Sequence, residues 1–124
     1  MAHVGLSESE ARERHGETIK VLRASFEEND RARAEARTDG FVKLVTDRRG
    51  RILGVTIVGD RAGEQIGLWS LAVSKRLKVS AIAGLVLPYP TLSETGKRAA
   101  IGFYSCSLEN PWVRRLVRFL RIFG

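Results

Sequence analysis

Two alternating stretches dominate the pattern of apolar and polar positions. Gly40-Phe41-Val42-Lys43-Leu44-Val45-Thr46 and Arg51-Ile52-Leu53-Gly54-Val55-Thr56-Ile57-Val58-Gly59 are rich in β-branched and aromatic residues, the composition of pleated, half-buried strands. Asp47-Arg48-Arg49-Gly50 separates them; Asp bonds its own backbone in turns and Gly tolerates a left-handed conformation, so the pair predicts a hairpin. The second arm is the more continuously apolar, which places it nearer the middle of a sheet. Upstream, residues 18–26 also alternate and predict a further strand.

Elsewhere the period changes to three and four. Ile66, Trp69, Ala72, Val73 and Leu77 predict a helix over residues 62–77. Gly63 and Gly67 inside it lower helix propensity, and suggest close approach of another segment. Ser7-Glu8-Ser9-Glu10 is a capping box opening a helix over residues 8–14 that ends near Gly16. Residues 27–37 are charged and alanine-rich and read as an exposed loop with one helical turn. Residues 79–85 read as a short helical or irregular step. A helix is expected over residues 92–105, with Thr91 as N-cap and Glu94 at the third helical position. Asn110-Pro111 opens a last helix over residues 112–123, proline being tolerated in a first turn. Helix, strand, hairpin and helices in that order fit an α+β domain, an antiparallel sheet built on the central hairpin and covered on one side by helices.

Between these elements lies Leu87-Pro88-Tyr89-Pro90-Thr91-Leu92-Ser93-Glu94. Two prolines around an aromatic make it too rigid for a linker.

The chain has 124 residues, enough for one domain with its own core. Its net charge is +7, and the excess is uneven: the last fourteen residues hold four arginines and no acid. On a helical wheel Arg114, Arg115, Arg118 and Arg121 share a sector, while Trp112, Val113, Leu116, Val117, Phe119, Leu120 and Phe123 fill most of the rest. Three readings stay open for this tail: a helix lying on its own domain with arginines outward, a membrane-surface helix, or a helix in a partner's groove. In the last two, Trp112, Arg114, Arg115, Arg118 and Arg121 make the contact. Nucleic acid is disfavoured, because the body shows no basic stripe with interleaved aromatics.

Candidate chemistry within the chain is sparse. Cys106 is the single cysteine, which excludes a dithiol pair within these residues and suits a small apolar role. His3 and His15 lack metal-ligand spacing, so no metal site is expected. Gly54 to Gly59 lacks the glycine spacing of a dinucleotide turn. No apolar run approaches the roughly 20 residues that span a bilayer. A cytoplasmic location is expected, with peripheral membrane contact only through the tail.

Tyr89-Pro90-Thr91-Leu92-Ser93-Glu94 resembles the His-Pro-Thr-x-x-Glu motif of the pyridine nucleotide-disulfide oxidoreductases, flavoproteins that include dihydrolipoamide dehydrogenase, glutathione reductase and mercuric reductase. Val4-Gly5-Leu6-Ser7-Glu8 resembles the opening of their C-terminal dimerisation domain. Gly40 to Val45 with Ile52-Leu53-Gly54 and Ile57-Val58-Gly59 resembles its hairpin, and Gly63-Glu64 with Ile66 resembles the helix that follows. The resemblance covers roughly residues 4–106 and implies a dimerisation domain over residues 1–109, with residues 110–124 as a basic amphipathic helix.

In that family two copies pack about a two-fold axis, and the motif reaches the partner subunit's active site beside the flavin. The resemblance therefore implies a homodimer, with Tyr89, Pro90, Thr91 and Leu92 at the interface and Glu94 and Tyr89 at catalytic positions. FAD and NAD(P) would be held by upstream domains of a parent protein, and none by this chain alone. The family's histidine is an acid–base for a cysteine pair, and its glutamate orients that histidine. Here Tyr89 stands at the histidine position. Histidine titrates near neutrality, whereas tyrosine titrates near pH 10 and stays protonated. The expectation is a fragment, inactive alone, from a mercuric-reductase-like or other FAD-dependent enzyme rather than an ordinary disulfide reductase. The family's His-Pro bond is cis, and either isomer is open for Tyr89-Pro90.

Overall fold

The computed structural model describes residues 1–108, 115 and 118–121. The hairpin forms as the alternation requires. Strand β3 (Phe41–Thr46) pairs antiparallel with β4 (Ile52–Val58), with a register shift between Val45 and Thr46. The Asp47 carboxylate accepts the backbone N–H groups of Arg49 and Arg51, each at 2.9 Å, and Gly50 takes a φ of +89°. β2 (Lys20–Ser25) pairs with the outer side of β3.

The sheet has a fourth strand that the pattern does not announce. β1 (Ala2–Gly5) pairs antiparallel with β4, from Ala2 opposite Ile57 to Gly5 opposite Gly54, giving the order β1-β4-β3-β2. Four residues are too few for alternation to register, and their partner lies some fifty residues away. Gly54 makes the approach possible: a Cβ there would lie 1.9 Å from the carbonyl oxygen of Leu6.

Leu22, Ala24, Val42, Leu44, Val55 and Ile57 turn one face of the sheet into the main core. Three helices cover it. α3 (Ala62–Ser74) lies against β1 and β4, α5 (Glu94–Leu108) against β2 and β3, and α4 (Val79–Ala83) against α5. Trp69, Ala72, Val79, Ile82, Ala99 and Ala100 are their buried contributions. Each full burial of a large apolar side chain is worth about 1.5–3 kcal/mol, so this face supplies most of the stability.

Cover on one side only is the expectation that needs correction. α1 (Glu8–His15) packs on the opposite face, where Ala11, Ile19 and Val45 form a second small cluster flanked by Leu6, Val21 and Leu53. Its capping box is present: Ser7 Oγ accepts the Glu10 N–H at 3.2 Å, and a Glu10 carboxylate oxygen accepts the Ser7 N–H at 2.8 Å. Lys43 of β3 pairs with Glu8 and fastens the helix to the sheet.

Three further expectations change. Residues 27–37 contain α2 (Asp30–Ala34), and Asn29 and Ala32 are buried rather than solvated. The inward side consists of Asn29 and Ala32 alone, with Ala34 and Ala36 exposed, so the surrounding charges conceal it. Gly63 and Gly67 have no atom within 4 Å of an added Cβ, so neither serves a close approach. That role falls to Gly96, where a Cβ would lie 2.7 Å from the buried Trp69 ring. Finally, α5 begins two residues later than expected, after a turn at residues 92–93.

Candidate functional site

The loop between α4 and α5 carries the proline motif. Its Tyr89-Pro90 bond is cis. Four contacts hold its backbone and tip. Lys97 Nζ donates to the Leu85 carbonyl at 2.6 Å, and Asn29 Nδ2 donates to the Thr91 carbonyl at 2.9 Å. The Thr91 N–H donates to Glu94 Oε2 at 3.1 Å. The Tyr89 hydroxyl donates to Asp30 Oδ2 at 2.7 Å. Asn29 Oδ1 also accepts the Ala32 N–H at 2.9 Å, so one buried side chain caps α2 and ties down the loop.

The expected site residues divide. Leu92 is 8% exposed and packs in the chain's own core. Val86 and Tyr89 are 96% and 70% exposed and face outward. Because α5 starts at Glu94, Thr91 stands three residues before it and is not its N-cap, and Glu94 is the first helical residue, not the third; the Thr91 hydroxyl is buried and has no hydrogen-bond partner. Glu94 accepts the Thr91 N–H, so its carboxylate serves the loop backbone while the Tyr89 phenol reaches Asp30. In the tail, Arg115, Arg118 and Arg121 are helical and exposed, while Trp112, Arg114 and the Cys106 side chain lie outside the described residues.

The electrostatics of the phenol follow from this wiring. The carboxylate of Asp30, accepting its O–H and adding its own negative charge, raises the Tyr89 pKa above the ordinary tyrosine value; burial and then Glu94 add to the effect. Tyr89 is therefore a fixed hydrogen-bond donor at neutral pH and not a base.

Asn29, Asp30, Thr95 and Arg98 were not singled out by the sequence pattern, yet they join Tyr89 and Glu94 around a polar cleft beside the loop. The available signal was local: Asn before Asp-Arg-Ala-Arg-Ala is a helix start, and a capped helix implies a buried side. Arg98 pairs with Glu28 at 2.8 Å on the rim. Among the described residues no cluster of three His, Cys, Asp or Glu is placed to hold a metal ion. No helix among them is long and apolar enough to cross a membrane.

Residues 1–100 match the family model for the pyridine nucleotide-disulphide oxidoreductase dimerisation domain. The chain is 34% identical over 105 residues to the mitochondrial dihydrolipoyl dehydrogenase of Caenorhabditis elegans, covering 84% of this chain and 21% of that protein. It is 39% identical over 105 residues to a mercuric reductase of Shewanella putrefaciens, covering 83% of this chain and 18% of that one. Among solved structures it superposes on the HOCl-induced flavoprotein disulfide reductase RclA of Escherichia coli with a TM-score of 0.73 at 26% identity, covering 79% of this chain and 22% of that one. The chain spans about a fifth of the length of the curated relatives it matches.

Proposed function

Because this chain belongs to the pyridine nucleotide-disulphide oxidoreductase dimerisation-domain family, we propose that it is the homodimerisation module of an FAD- and NAD(P)-dependent oxidoreductase whose proline loop is offered to the partner subunit's flavin site. The observation that carries this reading is the loop's construction. Leu92, Asn29 and Glu94 hold it from within, while Val86 and Tyr89 stand bare on its outer side. An apolar and an aromatic side chain on an immobilised, solvent-facing loop suit a protein interface.

Light scattering over a concentration series tests it. A dimer is expected, and Val86→Asp should weaken it by roughly tenfold or more, an isolated charge being costly to bury. Circular dichroism would report that the fold survives. A chain that stays monomeric at every concentration would overturn the reading.

FAD, when bound by the parent, carries electrons between the nicotinamide and the substrate. What this chain offers beside it is one donor, the Tyr89 phenol fixed by Asp30, and a carboxylate, Glu94, engaged with the backbone. That set fits hydrogen bonding to the edge of a flavin. It does not fit proton exchange with a thiolate, which needs a group titrating near neutrality. On this reading the parent is a mercuric-reductase-like or other FAD-dependent oxidoreductase rather than an ordinary disulfide reductase. The segment alone is inactive on this reading; turnover by the isolated chain with added FAD and NADH or NADPH would refute it.

A further inference from the structure

We propose that the end of the sheet carrying the β3–β4 turn is a docking surface for an anionic lipid bilayer. The Ile52 N–H donates to the Leu77 carbonyl at 3.0 Å and the Val79 N–H to the Gly50 carbonyl at 2.8 Å, so Arg51 lies opposite Lys78. This short ladder joins the hairpin turn to the turn between α3 and α4. Arg48, Arg49, Arg51, Lys75, Arg76 and Lys78 are all exposed there. Asp47 is the one acid within residues 47–51 and 75–78, and its Oδ1 already accepts two backbone N–H groups of its own turn. Among the described residues, Arg51 alone of the six cations forms an ion pair, with Asp47 at 3.5 Å. Like charges crowded in this way repel one another and together attract an anionic surface.

Arg76 adds an independent observation. It follows α3 in the left-handed region, with a φ of +54°. Its N–H donates to the Val73 carbonyl and the Leu77 N–H to the Ala72 carbonyl, at 3.1 and 2.9 Å. Glycine is the ordinary occupant of that position, so an arginine stands there against the backbone's preference. The helix dipole favours cations at the end of α3 and so accounts for Lys75 and Arg76, but not for Arg48, Arg49 or Lys78.

The neighbours of these cations select the anionic surface. Leu71 is 54% exposed and precedes Lys75 by one helical turn, which puts both on one face of α3. A bilayer takes up an apolar side chain beside basic ones at its headgroup boundary. A nucleic-acid backbone gives Leu71 nothing to bury against. α5 also runs to this end, its Phe103 ring lying against Gly50 and under the Lys20 ammonium. The basic tail, with Arg115, Arg118, Phe119, Leu120 and Arg121 exposed, continues from it. The proline loop is tied to Asn29, beyond the other end of β2, so docking and dimerisation are read separately.

The test is co-sedimentation of the full chain with two kinds of vesicle, one of phosphatidylcholine and one of equal parts phosphatidylcholine and phosphatidylserine. Binding is expected to the second alone and should weaken as salt rises. Arg76→Gly should lower the vesicle partition by about fivefold, the effect of one basic residue at an anionic surface, while leaving the melting temperature unchanged or higher. Arg48→Gln, Arg49→Gln and Lys78→Gln together should lower it on the order of a hundredfold. Leu71→Ser should lower it by about fivefold and leave its salt dependence unchanged. Equal binding to both vesicles would overturn the proposal. So would full binding by the folded triple variant that is lost on deleting residues 110–124, since the tail would then make the contact. Binding of a duplex oligonucleotide under salt conditions where the vesicles are not bound would overturn it in favour of nucleic acid. Should the triple variant fail to fold, Arg76→Gly decides.

Discussion

An alanine at position 96 and one at position 67 are the same substitution in the same type of element, and they should have opposite effects. At Gly96 the new methyl would meet the buried Trp69 ring at 2.7 Å. Neither partner can yield, since α5 and α3 are both packed on the sheet, so Gly96→Ala should destabilise by about 1–3 kcal/mol despite its gain in helix propensity. At Gly67 the methyl meets nothing within 4 Å, and Gly67→Ala should stabilise by about 0.5–1 kcal/mol. Urea midpoints of the two variants read both signs at once. The sequence makes the glycines of α3 and α5 look alike; only the tertiary contact tells which is required. Tyr89 is the converse case. Its departure from histidine is visible in the chain, but its partner, Asp30, lies 59 positions away in a segment that reads as solvent-facing charge.

Among the elements, α2 shows how a short helix acquires importance. Its five residues cannot be stable alone, yet the Asn29 side chain that starts it also fastens the proline loop. Asn29→Ala removes both bonds and leaves the Thr91 carbonyl with one fewer donor. A loss of about 1–3 kcal/mol is expected, with faster amide exchange at Thr91, Glu94 and Ala32 than elsewhere in the chain. The two arms of the hairpin, α1 with its capping box, and α3 were legible because their patterns run within one element. β1 and the buried side of α2 were not, because the first is too short for a period and the second is read only against its neighbour. α1 carries its own pH signature. Lys43 first, then Arg12, lower the Glu8 pKa by hydrogen bonding and charge. A lowered carboxylate pKa gives stability that is present above its unfolded value and is lost as pH falls through the folded one. Acid titration should therefore loosen α1 from the sheet below the ordinary carboxylate range, and Lys43→Met should flatten that loss. Circular dichroism against pH between the two proteins checks it.

At the scale of the whole molecule, helices bury one sheet face fully and the other only at one end. The open part of the second face carries a cross-strand row of Arg23, Lys43, Thr56 and His3. This row is polar and internally engaged, with His3 Nδ1 bonded to Thr56 Oγ1 at 2.8 Å and Arg23 stacked over Phe41. Dimerisation through the proline loop predicts instead a melting temperature that rises with protein concentration, by mass action. A midpoint independent of concentration would argue for a monomer. The order β1-β4-β3-β2 also fixes a sequence of events on the ribosome. β1 is synthesised well before β4, its partner among the described strands, which is not complete until Val58. Throughout that interval β1 lacks its β4 partner, and this sheet closes only when its earliest strand meets its latest.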